Sequence, residues 1–363
     1  MNLRKEIGTG QLFCLLIVCR LSVALTFPFD SVGSFNNQEW FAAVLFFPIL
    51  LSVMSFLLFF YNKTGLCPAD AAAKTSPFFG KAVSLVFSVF FLLSAAVNLS
   101  RFNIFMTSTT GADQSPLFFP LLLIIPSVYA AYKGIEAISR TACIILVIGL
   151  VSAAVIILAV IPKFDMLNVL PPRSSDRKNV ARLLMTYFSG TSEAAAFAVM
   201  LPKARGKKRF LPAAFSAAVA FGMFAIFFSV SAVFGELAEF ENFPFFALAD
   251  IAELGELKRL SALHASTWIL GLYVKCGLFL QLSRSCAERV FEKSVLKPLS
   301  AVGIAAVFVL GTLMSSNYRY AKSPIYSVSL FISVALLTVV LPAVLLLTQK
   351  NTEKFRSKEG VKN

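Results

Sequence analysis

Four charged side chains sit where hydrocarbon would surround them: Arg20, Arg101, Glu193 and Lys275, each inside a long apolar run. An ionisable group at that depth costs roughly 2.5 to 3.5 kcal/mol on insertion scales, so such residues pair, face water-filled cavities or mark a ligand path. Glu193 has the most informative surroundings. It closes Ser189-Gly190-Thr191-Ser192-Glu193, in the middle of the 21 residues from Arg182 to Pro202. As one helix that stretch would just cover a ~30 Å hydrocarbon core. A flexible glycine and three hydroxyls that compete for backbone hydrogen bonds interrupt it. The portion after the interruption, Ala194 to Leu201, is too short to span alone. Two half-helices meeting at mid-membrane are therefore expected, the arrangement that lets freed backbone groups and a helix N-terminus bind a small substrate. The plainer alternative is a Gly/Ser kink in a packed helix, or a Glu at an aqueous boundary. A Glu193–Lys275 pair would offset the burial cost of both groups and leave Arg101 or Arg20 for a carboxylate. Taken singly, each cation also has a bland account: Arg101 and Lys275 can snorkel to an interface, and Arg20 can face a wet cleft.

The elements that must hold these groups are transmembrane. With 58% hydrophobic residues, 14% charged and 38 Phe, the chain is far too apolar for a water-soluble domain. Apolar runs fall at Leu12–Phe29, Trp40–Phe60, Ala82–Met106, Ser115–Tyr132, Ile135–Ile161, the broken 182–202, Phe210–Phe234, Leu260–Leu282, Pro298–Met314 and Ile325–Leu347. The expected fold is an all-α integral membrane protein of about ten spans, a single polytopic domain over 1–363. If the chain follows the plan of transporters built from two inverted five-helix repeats, these would cover about 8–161 and 182–347, with a basic tail at 348–363. Span six is discontinuous, and span one is the second candidate for a break. In transporters of that plan, spans one, three, six and eight enclose the central site, so the four buried charges would converge.

A net charge of +14 would suggest nucleic acid in a soluble protein. Here the basic residues occupy short connections and read as topology signals, with no nucleic-acid partner. If both termini are cytoplasmic, inside segments hold 21 of the 33 Lys and Arg, outside segments nine and the spans three. The acidic connection 236–259 then lies outside. The basic Lys203–Arg209 lies inside, as an orientation signal that can also meet anionic lipid.

Enzyme chemistry finds no place. The six cysteines form no C-x-x-C motif, and the one histidine, His264, sits near the outer start of span eight, where an imidazole is usually interfacial. No Gly-rich phosphate loop, Ser/His/Asp set or metal cluster is present, and no cofactor is implied.

Three segments carry a family resemblance: GIEAISRTA (Gly134–Ala142), the spacing from Glu193 to Pro202 followed by KARGKKRF (Lys203–Phe210), and LKRLSALHASTWILGLYVK (Leu257–Lys275). They resemble the endospore germination permease family, the B subunits of nutrient germinant receptors, within the amino acid/polyamine/organocation transporter superfamily. Trp268 to Lys275 is the most specific part. By motif, Glu193, Lys275, Arg101 and Arg140 fall on the family's Glu after the span-six break, its span-eight Lys, its span-three Arg and its Arg after span four. Leu21-Ser22-Val23 stands where members often carry Gly-x-Gly, and Ser192 stands for the Gly expected before the Glu. The first change removes the residues that accept an unwound backbone cheaply. The ligand-binding set is then Ser22, Arg101, Gly190, Thr191, Ser192, Glu193 and Lys275.

The resemblance implies a sensing subunit that binds a small nutrient, an amino acid by preference. It would work beside an A-type membrane subunit and a C-type lipoprotein in the lipid bilayer of the spore inner membrane. The alternatives are a proton- or sodium-coupled amino acid transporter, or a scaffold whose site has decayed.

Overall fold

Backbone N–H and C=O groups in hydrocarbon have no water to bond, so long apolar runs close their hydrogen bonds within helices. The computed structural model describes residues 6–24, 38–110, 115–169, 177–254, 257–316 and 324–348. Within them the chain is almost wholly helical. Spans one to five are α1 (Thr9–Ala24), α2 (Glu39–Thr64), α4 (Pro77–Thr110), α5 (Phe118–Lys133) and α6 (Ile135–Val160), and the short α3 (Pro68–Thr75) lies between spans two and three. Span six is split into α7 (Arg177–Ser189) and α8 (Ser192–Met200). Span seven is α9 (Leu211–Phe234), followed by the short α10 (Pro244–Asp250), and spans eight, nine and ten are α11 (Ser261–Ala287), α12 (Lys293–Ser316) and α13 (Pro324–Ala335) with its continuation to Thr348. Among the described residues seven helices are long and apolar enough to cross a membrane. α1 and α5 are shorter apolar helices, and the split pair completes the ten expected spans. The basic tail beyond 348 and the Leu25-Thr26-Phe27-Pro28 segment lie outside the described residues.

Sequence decides several joints directly. Spans four and five are joined by Gly134 alone, at φ 93°, a left-handed conformation that costs any residue with a Cβ. Span one does not unwind at Leu21-Ser22-Val23: α1 runs unbroken to Ala24, as a sequence without glycines there requires.

α1 and α11 form the centre of the bundle. α1 packs on α6, α9 and α11, and α11 packs also on α4 and α5. α12 is peripheral, burying only Leu296, Val307 and Gly311. Each end of the bundle is tied across. At one end Ile7–Gly8 pairs in parallel with Ala204–Arg205, which joins the start of α1 to the chain leaving α8, and Arg205 pairs with Glu6. At the other end α10 packs on α11 and buries Phe245, Leu248 and Ala249.

Candidate functional site

The split in span six is short. α7 ends at Ser189 and α8 begins at Ser192, with Thr191 at φ −87° and ψ 43° between them. The hydroxyls serve the break itself: Ser189 Oγ donates to the Thr186 carbonyl at 2.7 Å and Thr191 Oγ1 to that of Phe188. Gly190 N bonds the Thr186 carbonyl at 3.2 Å, the last turn of α7. No side chain caps the N-terminus of α8, and Glu193 stands in its first turn, where the helix dipole favours an anion.

Glu193 is fully buried and lies between two cations. Lys275 Nζ is 3.6 Å from Oε2, and Arg20 Nη1 is 3.7 Å from Oε1. These exceed the 2.7–2.9 Å of a charge-assisted hydrogen bond. Among the described residues neither Glu193 oxygen accepts a hydrogen bond, and Arg20 Nε and Nη1 donate none. The remaining contacts hold the cations in place. Lys275 donates to the Cys19 carbonyl at 3.0 Å, Arg20 Nη2 reaches Met223 Sδ at 3.4 Å, and the guanidinium lies over Phe46 at 5.3 Å. Arg101 is buried on α4.

α11 places its share by helical spacing. Trp268, Gly271 and Lys275 lie on one stripe against α1. Trp268 Nε1 donates to the Ser22 carbonyl at 2.9 Å, and a Cβ at Gly271 would stand 3.2 Å from Ser22 Cβ. The missing side chain lets the two helices approach closely enough for Lys275 to reach Cys19. Ser22 Oγ turns back onto the Cys19 carbonyl at 3.0 Å. About 10 Å along α11 from Lys275, at 1.5 Å per residue, an aromatic layer closes the cluster. Phe105 meets Trp268 at 4.3 Å, Phe243 at 5.0 Å and Phe246 at 5.3 Å, and Phe102 stacks on Trp268 at 6.3 Å.

The sequence-picked residues thus divide. Glu193 and Lys275 converge, with Ser22 beside them through its backbone, and Arg101 is buried on α4. The Gly190, Thr191 and Ser192 segment forms the break. Arg140 does not join: it pairs with Glu136 at 2.7 Å on an exposed face of α6. His264, in the first turn of α11, is 3% exposed and edge-on to Phe245 of α10 at 5.1 Å. Sequence reasoning listed Arg20 but did not assign it to Glu193. It missed the Trp268–Ser22 bond, although Trp268 lies in the most family-like segment. The basic connection is more ordered than an orientation signal needs: Lys208 donates to Tyr61 OH at 3.2 Å and lies over the same ring.

A substrate-bound, outward-open Na+-coupled sialic acid symporter superposes with a TM-score of 0.61 at 13% identity, covering 93% of this chain and 80% of that one. Mhp1, a nucleobase-cation-symport-1 family transporter in a closed conformation with bromovinylhydantoin bound, gives 0.55 at 16% identity, covering 93% and 78%. At such identities the likeness concerns the fold, an all-α transporter architecture of inverted repeats. No curated protein matches the chain. The family model described as spore germination protein matches residues 6–319. With that match across most of its length, on the broken-helix fold and buried charges just described, the chain belongs to the spore germination permease family.

Proposed function

We propose that the chain is the permease-like sensing subunit of a nutrient germinant receptor, binding an amino acid at the break in span six and promoting germination. The observation that carries this is the pairing of unused groups at one buried place. Arg20 offers its Nε and Nη1 N–H groups, and Glu193 offers two carboxylate oxygens, with none of the four atoms in a hydrogen bond among the described residues. Buried polar groups are rarely left so. Free guanidinium N–H groups take a carboxylate, and a carboxylate takes an ammonium, so a zwitterion of amino-acid size satisfies both at once. Lys275 keeps the site one positive charge in excess, which favours the ligand's carboxylate end. The buried cluster must part to admit it, so occupancy is coupled to a shift of α1 against α8. That movement is the signal we assign to the A-type and C-type partner subunits in the spore inner membrane. The role is binding and response rather than catalysis.

The test uses the full chain purified in detergent and each common amino acid in turn, with thermal stabilisation as the readout. At least one amino acid is expected to stabilise the native chain and to lose that effect when esterified or N-acetylated. Arg20→Met should abolish it. Stabilisation by none of them, or equally by the blocked forms, overturns the reading. Uptake into vesicles separates the alternatives: binding without accumulation fits the sensor, and accumulation driven by a proton or sodium gradient makes the chain a coupled transporter.

A further inference from the structure

A second space lies between α1, α6, α9 and α11. It is a cavity of about 600 Å³ whose walls include none of Arg20, Glu193 and Lys275. Along α6 it runs from Ile145 to Leu158, thirteen residue steps or about 20 Å at 1.5 Å per residue. Its lips, Leu150 and Leu158 on α6 and Phe221 on α9, are 54%, 61% and 74% exposed, so it opens sideways where lipid would lie. Gly149 leaves one wall bare: a Cβ there would meet nothing within 4 Å. Three of the polar groups in the walls are engaged. Ser22 Oγ bonds the Cys19 carbonyl, Thr267 Oγ1 that of Leu263, and Trp268 Nε1 that of Ser22. Two are not: Ser152 Oγ on α6 is buried without a hydrogen-bond partner among the described residues, and His264, which lines the cavity at 3% exposure, makes no hydrogen bond through its imidazole among them.

We propose that this crevice is a second binding site, taking from the bilayer a single hydrocarbon chain with an uncharged hydroxyl head, of the fatty alcohol or monoacylglycerol class. The chain lies in the slot past Gly149, and the head bonds His264. A neutral imidazole both donates and accepts, as a hydroxyl does. Among the described residues no Lys or Arg lines the walls, so a phospholipid phosphate would be buried without a counter-charge, and an amino acid's charged groups would find no partners.

The test uses the full chain in nanodiscs of phosphatidylglycerol and phosphatidylethanolamine, photolabelled with a long-chain alcohol that carries a mid-chain diazirine. Adducts are expected to concentrate on residues 145–158 and 218–226, to exceed those from the matching headless alkane, and to be lost in Gly149→Leu, whose new side chain enters open space. His264→Phe should equalise alcohol and alkane. Adducts spread evenly over the lipid-facing helices, or unchanged in Gly149→Leu, overturn the site. Equal labelling of the native chain by the alkane, or by a phospholipid with the same chain, overturns the head-group recognition even if His264→Phe does not fold.

Discussion

One carboxylate between two cations is lopsided, and the imbalance predicts an order of mutational cost. Glu193→Gln leaves Arg20 and Lys275 buried beside each other with no counter-charge, the situation in which breaking a buried pair costs about 3–5 kcal/mol. Lys275→Met leaves the Arg20–Glu193 contact standing, so its cost should be smaller. Glu193→Gln combined with Lys275→Met should be less impaired than the sum of the singles, by a coupling on the order of 0.5–3 kcal/mol. Thermal inactivation midpoints of the purified chain give both comparisons; strict additivity, or Lys275→Met as the worse single, would count against the arrangement. Charges inside apolar runs were visible in the sequence, and the inverted-repeat plan brings all four together with Glu193 and Lys275 as the expected pair. Arg20 as the second partner of Glu193 was not visible. α1 is apolar all round, with no stripe to show which way Arg20 points.

At the scale of elements, contact between α1 and α11 depends on a residue with no side chain. Gly271→Leu would press into Ser22 and should cost about 1–3 kcal/mol as overpacking does, separating Lys275 from the Cys19 carbonyl. Trp268→Phe keeps the ring but loses the bond to the Ser22 carbonyl, worth about 1 kcal/mol. Gly271→Leu should therefore be the more damaging in a stability scan and should also abolish ligand stabilisation, whereas Trp268→Phe should weaken it; the reverse order would place the helix contact elsewhere. The break in span six was readable, since glycine and hydroxyls announce a segment that leaves the helical ladder. Its detail was not: the hydroxyls of Ser189 and Thr191 bond their own chain. α10 was hidden because Pro244 to Asp250 is a short apolar turn inside an acidic connection, too brief for a hydropathy window and identified only by burial against α11. For the same reason the burial of His264 was not legible.

For the molecule as a whole, the 21 to nine division of basic residues predicts that both termini face the cytoplasm and that the 236–259 connection lies outside. Impermeant thiol reagent should reach a cysteine placed at Glu241 and miss one at Lys354; the opposite pattern reverses the topology. The native Cys67 should stay silent at pH 7, because it is inaccessible and burial pushes its thiol up to about 11. On the same assignment, the parallel pairing of Ile7–Gly8 with Ala204–Arg205 lies on the cytoplasmic face. No periodicity could reveal it, since each strand is two residues long and its partner is almost 200 positions away. It ties together the two segments that carry Arg20 and Glu193, so any ligand that parts those side chains works against it. Cysteines at Gly8 and Arg205, facing partners in the pair, are close enough in register for a disulfide. Oxidised, that variant should lose amino-acid stabilisation of the purified chain, and reduction should restore it. If the locked chain binds as well as the reduced one, the cluster opens without α1 and α8 separating at this end, and the movement must come instead from the aromatic layer of Phe105, Phe243, Phe246 and Trp268.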